Sequence, residues 1–241
     1  LSIPHNGNLS RLALYPYLSH FFRSMEDFRS QQGIRYDLIH SHYWLSGRVE
    51  SWAQELWNRP HLTMLHTLGE VKNRTGVGRL ESELRIAAEK ELVNTCHRIL
   101  APTNKEKENL MRYYGVSDQK IGVVPCGVNL DLFRPQEKQA TRKQLGLDPD
   151  DIVLLYVGRF EPLKGIEMLL EAISHLNNYQ RLRLVLVGGD GDQSPESQLL
   201  RQKALNLGVK DKVLFAGRVD QKYLPPYYSS ADVLVISSHY E

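Results

Sequence analysis

Two cations stand five positions apart in the stretch YVGRFEPLKG, which covers residues 156–165. Arg159 carries a planar guanidinium that can hold two oxygens, and Lys164 adds a compact positive charge. The apolar run 152–157 predicts a buried strand before them, and apolar residues at helical spacing follow Gly165. A loop between the carboxyl end of a strand and the amino end of a helix favours anions through its free N–H groups. These residues therefore predict a diphosphate site, with two solvated loop cations as the alternative.

The elements that must position this loop are short apolar runs that alternate with longer helical patterns. The predicted strands cover 36–41, 61–66, 98–102, 121–125, 152–157, 182–188, 212–217 and 232–237, and the predicted helices cover 44–57, 79–95, 104–114, 165–177, 196–207 and 220–230. Strands that are apolar on both faces and alternate with helices predict an α/β fold with doubly wound parallel sheets. Ligands of such sheets bind at the carboxyl ends of the strands.

The alternation breaks between residues 125 and 150, a segment that holds three prolines and clusters of charge. We interpret this break as the crossing between two Rossmann-like domains, 1–135 and 136–241, which would face a ligand cleft. The chain begins with leucine rather than methionine and stops just after a strand-like run. A parallel strand is normally followed by a covering helix, so we expect a piece of a longer protein, incomplete at both ends.

Length and composition exclude several classes of protein. With 241 residues, of which 41% are hydrophobic, the chain can form one large or two ordinary domains. A net charge of +2 does not predict nucleic-acid binding. No apolar run is long enough to predict a membrane span, and no leader pattern predicts a signal peptide. Peripheral membrane contact and the oligomeric state stay open. The two cysteines, Cys96 and Cys126, predict free thiols and a cytoplasmic protein.

Several stretches, in the same order along the chain, resemble the retaining glycosyltransferases of family 4, which have the GT-B fold and use nucleotide sugars. VGRFEPLKG resembles the Gly-Arg…Lys-Gly loop of the family, and further matching stretches are APTNKEKENLMRYYGV, IGVVPCGVNLDLFRP, LVLVGGDGD and YYSSADVLVISSHYE. The resemblance implies transfer of a sugar from a nucleotide sugar, with UDP-sugars first, to an acceptor hydroxyl. It implies no cofactor and no metal. The rival interpretations are a non-catalytic nucleotide-sugar-binding module and a phosphorylase-like GT-B enzyme that uses pyridoxal phosphate.

The resemblance also implies which residues contact the donor. Arg159 and Lys164 would hold its diphosphate and stabilise the charge that develops there during transfer, so that we count both as catalytic. The other implied donor contacts are Gly158, Gly189, Arg218, Val219 and Glu241. Glu241 matches the first residue of a Glu-x7-Glu element of the family, and the second would lie beyond the end of the chain.

His66 ends the predicted strand 61–66, and the resemblance implies that it lies beside the reacting sugar and bonds a donor hydroxyl, so that we count it as catalytic as well. The alternative is an ordinary packed or solvated histidine. His40 and His42 fall on one side of another predicted strand, because side chains alternate along a strand. A metal site there would need a third ligand, and we find none nearby in the sequence, so we predict no metal.

The stretches HSHYWLSGRV and GEVKN resemble the branch of the family that contains sucrose-phosphate synthases and inositol-phosphate N-acetylglucosaminyltransferases, which take phosphorylated acceptors. Carried over from this branch, Tyr43, Thr67 and Arg85 would bind an acceptor phosphate. The alternatives are that Tyr43 only packs and that Arg85 belongs to a helical salt-bridge ladder with Glu81 and Glu89. The acceptor stays open between a sugar phosphate, an inositol phosphate and a growing polysaccharide or lipid.

Overall fold

The computed structural model describes residues 10–176, 178–191 and 194–240. The chain divides into two compact units, the first ending at Cys126 and the second beginning at Gly127. The boundary predicted from the sequence lies later, at residue 135. Phe133 packs edge-on against Tyr228 with ring centroids 5.9 Å apart, which ties the segment after Cys126 to the second unit.

The first unit contains six helices and four strands among its described residues. The helices are α1 (Arg11–Leu14), α2 (Leu18–Gln31), α3 (Tyr43–Trp57), α4 (Gly69–Arg74), α5 (Glu83–Thr95) and α6 (Asn104–Tyr114), and the strands are β1 (Ile39–His42), β2 (His61–Met64), β3 (Arg98–Ala101) and β4 (Ile121–Val123). The strands lie side by side in the order β1-β2-β3-β4, and every pair is parallel. Their carboxyl ends therefore meet at one edge of the sheet.

The core of the first unit lies between the ends of the strands and the helices, which together exclude water. Leu65, Leu68, Ile99 and Leu110 are fully buried there, with Trp44 packed beside them. Burying one such aliphatic side chain contributes roughly 1.5–3 kcal/mol. The segment that carries the candidate residues after β2 is thus fixed by its own apolar neighbours.

The second unit has four helices and four strands among its described residues. The helices are α7 (Lys138–Gln144), α8 (Ile166–Ser174), α9 (Pro195–Asn206) and α10 (Pro225–Ser230), and the strands are β5 (Ile152–Val157), β6 (Leu182–Val187), β7 (Val213–Gly217) and β8 (Val233–Leu234). The order is β7-β6-β5-β8, again with every pair parallel. The predicted α/β fold with parallel sheets is confirmed in both units.

Side chains of β6 point alternately to the two faces of its sheet, and each face has its own core. Leu184 and Leu186 pack with Leu170 of α8 and belong to one cluster, whereas Val185 and Val187 belong to another. All of these side chains are buried almost completely. Helices therefore cover both faces, as strands that are apolar on both sides require.

The segment 125–150, interpreted as a crossing between domains, contains α7, which the sequence analysis did not predict. Arg142 of α7 is buried and donates from Nη2 to Asp232 Oδ2 at 2.7 Å and from Nε to the carbonyl of Ser230 at 3.0 Å. These bonds attach α7 to the end of α10 and the start of β8. The structure also adds α1, α2 and α4 to the predicted helices. No helix in the described ranges is long and apolar enough to cross a membrane.

Candidate functional site

The loop from Gly158 to Gly165 connects the carboxyl end of β5 to the amino end of α8, as the sequence predicts. A single 3-10 turn, Pro162–Lys164, brings the chain round. Gly165 has φ +64°, and a side chain at this position would collide with the carbonyl oxygen of Ser237. Only glycine fits both conditions, because an L-residue with a side chain strains in this region of φ and has no space here.

Hydrogen bonds fix the backbone of this loop on two sides. The buried hydroxyl of Tyr156 in β5 donates to the carbonyl of Arg159 at 3.0 Å. The hydroxyl of Ser237, beyond β8, donates to the carbonyl of Lys164 at 2.8 Å. The two predicted cations therefore stand on a backbone whose shape is set by neighbouring elements. Glu241, the other predicted donor contact near this segment, lies outside the described residues.

The guanidinium of Arg159 is exposed, with 61% of its side chain accessible, and Nη1 lies 2.6 Å from Oε1 of Glu161. An exposed pair of this kind contributes little, at most about 1 kcal/mol, because water screens it and ordering two side chains costs entropy. Arg159 is therefore held in position by a contact that an incoming anion can replace.

Glycines occupy the carboxyl ends of three neighbouring strands in the second unit. Gly158 follows β5, Gly188 and Gly189 follow β6, and Gly217 ends β7. Gly188 donates its N–H to the carbonyl of Gly217 at 2.8 Å, and a side chain on Gly188 would collide with the carbonyl of Gly158. Bare backbones are thus packed against one another at this edge of the sheet, as only glycine allows.

Arg218 and Val219 follow β7 and line a cavity of about 480 Å³ together with Leu145, Tyr223 and other residues of the second unit. Neither Arg159 nor Lys164 lines this cavity. The structure therefore places the predicted donor residues in two groups, one on the β5–α8 loop with the glycine edge and one in the cavity after β7. Their predicted roles remain predictions.

In the first unit, three histidines form a cluster at the carboxyl ends of β1 and β2. Nδ1 of His42 lies 2.7 Å from Nε2 of His66, and the two rings stack with centroids 5.0 Å apart. His40 lies next to His42 with a centroid distance of 4.3 Å. Burial, and then the neighbouring rings of His42 and His40, lower the pKa of His66. The cluster therefore favours neutral imidazole at His66.

The sequence analysis treated His66 apart from His40 and His42, whereas parallel pairing of β1 with β2 brings the three together. The distance between His42 and His66 corresponds to a hydrogen bond, and two nitrogens that each bind a metal at about 2.0–2.1 Å would stand further apart. Within the described ranges, no group of three or more histidine, cysteine or acidic residues could hold a metal ion.

Of the three residues predicted to bind an acceptor phosphate, Arg85 contacts both of the others, Tyr43 and Thr67. Arg85 Nη2 donates to both the carbonyl and the hydroxyl oxygen of Thr67 at 3.0 Å. The guanidinium carbon of Arg85 lies 5.0 Å from the centroid of the Tyr43 ring, a cation–π distance. These residues come from α3, the segment after β2 and α5, so that only the folded chain unites them.

The salt-bridge ladder considered for Arg85 also forms. Nε lies 2.6 Å from Oε1 of Glu89, and Nη1 lies 2.7 Å from Oε1 of Glu81. Arg85 is 2% exposed and Glu89 is fully buried. Burial opposes the charged guanidinium, but the carboxylates, Glu89 above all, outweigh this and raise the pKa of Arg85. Both interpretations of Arg85 are therefore compatible with one geometry.

Glu89 connects Arg85 to the start of α4. Its Oε2 accepts a hydrogen bond from the backbone N–H of Gly69 at 2.9 Å and another from the hydroxyl of Tyr114 at 2.5 Å. The Tyr114 oxygen in turn accepts from the N–H of Glu70 at 3.2 Å. A buried carboxylate with this many donors is well satisfied, and it holds Arg85 rigidly beside Thr67.

A cavity of about 490 Å³ lies in front of Arg85 and Tyr43. Arg11 and Arg79 also line it, and Glu81 is its acidic residue. Arg11 approaches the hydroxyl of Tyr43 with Nη1 at 3.4 Å, so that Tyr43 has a guanidinium on each side. Arg11 and Arg79 could not be predicted as site residues from the sequence, because only tertiary contacts bring them to this cavity. Because Glu81 and Glu89 already pair with Arg85, Arg11 and Arg79 supply the further positive charge of this cavity, which suits an anionic ligand.

Comparison with known families and proteins gives matches over almost the whole chain. Residues 2–132 match the family model described as Glycosyltransferase Family 4, and residues 137–241 match the model described as Glycosyl transferases group 1. D-inositol 3-phosphate glycosyltransferase 2 of Catenulispora acidiphila is 41% identical over 214 residues, which are 86% of this chain and 50% of that protein. D-inositol 3-phosphate glycosyltransferase of Geodermatophilus obscurus is 39% identical over 216 residues, 86% of this chain and 48% of that protein.

The chain thus spans about half the length of these relatives. Among solved structures, sucrose-phosphate synthase from Thermosynechococcus elongatus matches with a TM-score of 0.82 and 32% identity, over 97% of this chain and 58% of that chain. Anabaena HepE matches with a TM-score of 0.74 at 19% identity, over 96% of this chain and 58% of that chain, which is a likeness of fold. The chain therefore belongs to glycosyltransferase family 4, and its two parallel-sheet units have the GT-B fold.

Proposed function

We propose that the protein containing this chain transfers a sugar from a nucleotide sugar to a hydroxyl group of a phosphorylated acceptor, with retention of configuration. The β5–α8 loop carries this proposal, because it combines two cations, bare glycine backbone and the amino end of a helix on a rigid support. The names of its relatives, D-inositol 3-phosphate glycosyltransferase and sucrose-phosphate synthase, support a phosphorylated acceptor.

The donor diphosphate would lie against Arg159 and Lys164. Negative charge grows on it as the bond to the sugar breaks, and preorganised positive groups that face this charge lower the barrier. The first N–H groups of α8 add a partial positive charge of about half an elementary unit at the same place. With these groups supplying the electrostatic stabilisation, our proposal includes no divalent metal and no cofactor.

Retention would follow from attack on the same face that the diphosphate leaves. In this step the bond from the sugar carbon C1 to the diphosphate oxygen breaks, the acceptor oxygen bonds to C1, and a β-phosphate oxygen takes up the acceptor proton. His66 would hold a donor hydroxyl while this occurs. Such a scheme asks the protein mainly to orient the two substrates and to stabilise charge.

The acceptor phosphate would bind in the cavity of Arg11, Tyr43, Arg79 and Arg85. Arg85 is held beside Thr67 by Glu89, so that its direction is set before a ligand arrives. Arg11 and Arg79 offer paired N–H groups that match two phosphate oxygens, and such charge-assisted bonds are the strong ones, whereas Arg85 already donates from Nε to Glu89 and from Nη2 to Thr67. UDP-glucose and UDP-N-acetylglucosamine are the donors, and inositol phosphates and sugar phosphates the acceptors, that we would assay first.

Replacing the two loop cations tests this proposal. We expect Arg159→Ala and Lys164→Ala each to raise the barrier to transfer by about 2–4 kcal/mol, the loss seen when one donor to a developing anion is removed. The measurement is kcat/KM for sugar transfer by the full-length protein, with the donor and the acceptor varied in turn.

Arg181→Ala is the matched control. Arg181 is also an exposed arginine, 64% accessible at its side chain, and it pairs with Asp150 at 2.7 Å, but it precedes β6 at the opposite edge of the sheet. We expect this variant to keep wild-type kcat/KM. Near wild-type transfer by both Arg159→Ala and Lys164→Ala would overturn the assignment of the loop.

A further inference from the structure

His42 is the imidazole that contacts His66, and nothing in the reaction as proposed above uses it. Its Nδ1 lies 2.7 Å from Nε2 of His66, and the stacked rings differ by 22° in plane. Hydrogen-bond distance and ring stacking together fix both the position and the orientation of the His66 ring. The Nδ1 atom of His66 is then the ring nitrogen left for a ligand.

We propose that His42 is a positioning residue that holds His66 in one tautomer and presents its Nδ1 to the sugar of the donor. This inference rests on the proposed function, since it takes His66 as the residue beside the donor. It concerns how His66 is prepared, and it makes no claim that His42 touches a substrate.

A single hydrogen occupies the contact between the two rings. Either His42 Nδ1 carries it and donates to His66, or His66 Nε2 carries it and donates to His42. In the first arrangement Nδ1 of His66 is a donor, and in the second it is an acceptor. A hydroxyl group of the donor sugar accepts a hydrogen bond from an Nδ1–H group but must donate one to a bare Nδ1 atom, and the two cases need different geometries. The tautomer of His66 therefore selects how this hydroxyl group is held.

The support for His42 is itself rigid. His42 is the last residue of β1 and pairs in register with Met64 of β2, while its carbonyl accepts a hydrogen bond from the hydroxyl of Ser46 in α3. His40, on the same face of β1, packs against the His42 ring. The ring of His42 therefore has few alternatives, as a group that orients another must.

The backbone just after β1 and β2 adopts strained left-handed conformations, which surrounding contacts must stabilise. Tyr43 has φ +74° and His66 has φ +63°, and both are residues other than glycine in the left-handed region. Conformations of this kind cost roughly 1–3 kcal/mol each and persist where surrounding contacts determine them. The His42–His66 bond is one of those contacts, and it turns a strained backbone position into a defined ring position.

The tautomer of His66 can be measured directly by long-range proton–nitrogen NMR spectra of the imidazole side chains in the full chain. We expect one tautomer of His66 in the wild type and a mixture in His42→Ala. His42→Asn should restore one tautomer, because the side-chain N–H2 of asparagine can stand at the place of the His42 Nδ1–H and donate to Nε2 of His66, which then carries its proton on Nδ1. His40→Asn, which leaves the His42–His66 bond intact, is the control and should leave the His66 spectrum unchanged.

The same variants are then compared in transfer assays. We expect His42→Ala to lower kcat by about 10- to 100-fold with little change in the KM of the donor, the loss typical of a misplaced functional group, and His42→Asn to recover most of it. A mixture of His66 tautomers in the wild type, or a single one in His42→Ala, overturns the inference. If the wild type transfers no sugar from any nucleotide sugar, the proposed function fails, while the NMR result still decides the role of His42.

Discussion

Glu106 gives a prediction about stability that can be worked out quantitatively. Its side chain is 7% exposed in α6, and Oε1 has no hydrogen-bond partner within the described ranges. Burial, and then the charge of Glu89, raise the pKa of Glu106 to about 7 from its ordinary value of 4.5. The folded chain therefore keeps this carboxyl group protonated at pH values where the unfolded chain has lost the proton.

The sign of the effect follows from the raised pKa. The stabilising contribution of the neutral carboxyl is complete below pH 4.5 and is lost as the pH rises towards 7. A shift of this size corresponds to about 3 kcal/mol, because each pKa unit is worth about 1.4 kcal/mol. Glu106→Gln keeps a neutral side chain of the same shape, so we expect it to be more stable than the wild type by about 3 kcal/mol above pH 7 and nearly equal to it near pH 4.5.

Urea denaturation followed by tryptophan fluorescence measures this difference in stability for the first unit of the chain, which contains Glu106. All three tryptophans, Trp44, Trp52 and Trp57, belong to the first unit, so that their fluorescence reports its unfolding alone. The free energy of unfolding is compared between wild type and Glu106→Gln at several pH values from about 4.5 to about 8.

Glu108→Gln is the matched control for this series. Glu108 lies on the same helix, but its side chain is 67% exposed and pairs with Lys105 at the surface. We expect the difference in free energy of unfolding between Glu108→Gln and the wild type to stay constant with pH. A difference between Glu106→Gln and the wild type that does not grow between pH 4.5 and 7 would refute the reasoning from burial.

Two further predictions concern the candidate sites. Gly165→Ala should lower stability by more than Gly146→Ala, measured by thermal unfolding, because both have a left-handed φ, which costs roughly 1–2 kcal/mol, but only Gly165 would also collide with Ser237. Equal losses would show that the loop yields easily. Arg11→Ala should raise the KM of a phosphorylated acceptor about 10- to 100-fold and leave the KM of the donor unchanged, as expected for one lost charged hydrogen bond; an equal effect from Arg23→Ala, on exposed α2, would contradict it.

The sequence predicts elements well where local signals and packing agree. The strand 152–157 and the helix 104–114 have the predicted bounds. Thr103 caps that helix by accepting a hydrogen bond from the N–H of Glu106, and Gly115 ends it in the left-handed conformation. Each of these signals is local, so each can be read from neighbouring residues.

Prediction is poorer where distant residues decide. The strand predicted at 232–237 forms only at Val233 and Leu234, which pair with β5 alone and remain half exposed. The helix predicted at 79–95 begins at Glu83, because Ser82 caps it. α7 was not predicted, since the prolines on either side of it and its own charges look like a linker. The partners of the buried bonds of Arg142 that stabilise α7 lie far away in sequence.

The candidate site shows the same division. The cations Arg159 and Lys164 and the glycines beside them could be read as a unit, because one short loop carries them. The contact of His42 with His66 and the approach of Arg11 to Tyr43 depend on strand pairing and helix packing, which no local pattern gives. Motifs within one loop can thus be predicted from the sequence, whereas sites built from several elements can be recognised only in the folded structure.

Glu161 pairs with Arg159 and therefore competes with incoming anions for the guanidinium group. A ligand that takes the guanidinium must displace a carboxylate that is tethered two residues away and therefore always present at high local concentration. Monovalent anions gain little by this exchange, whereas a diphosphate replaces one negative charge with more than one and contacts the helix end as well. If the loop holds a diphosphate as proposed, the pair would favour ligands of higher charge over monovalent anions, by no more than the roughly 1 kcal/mol that such an exposed pair contributes.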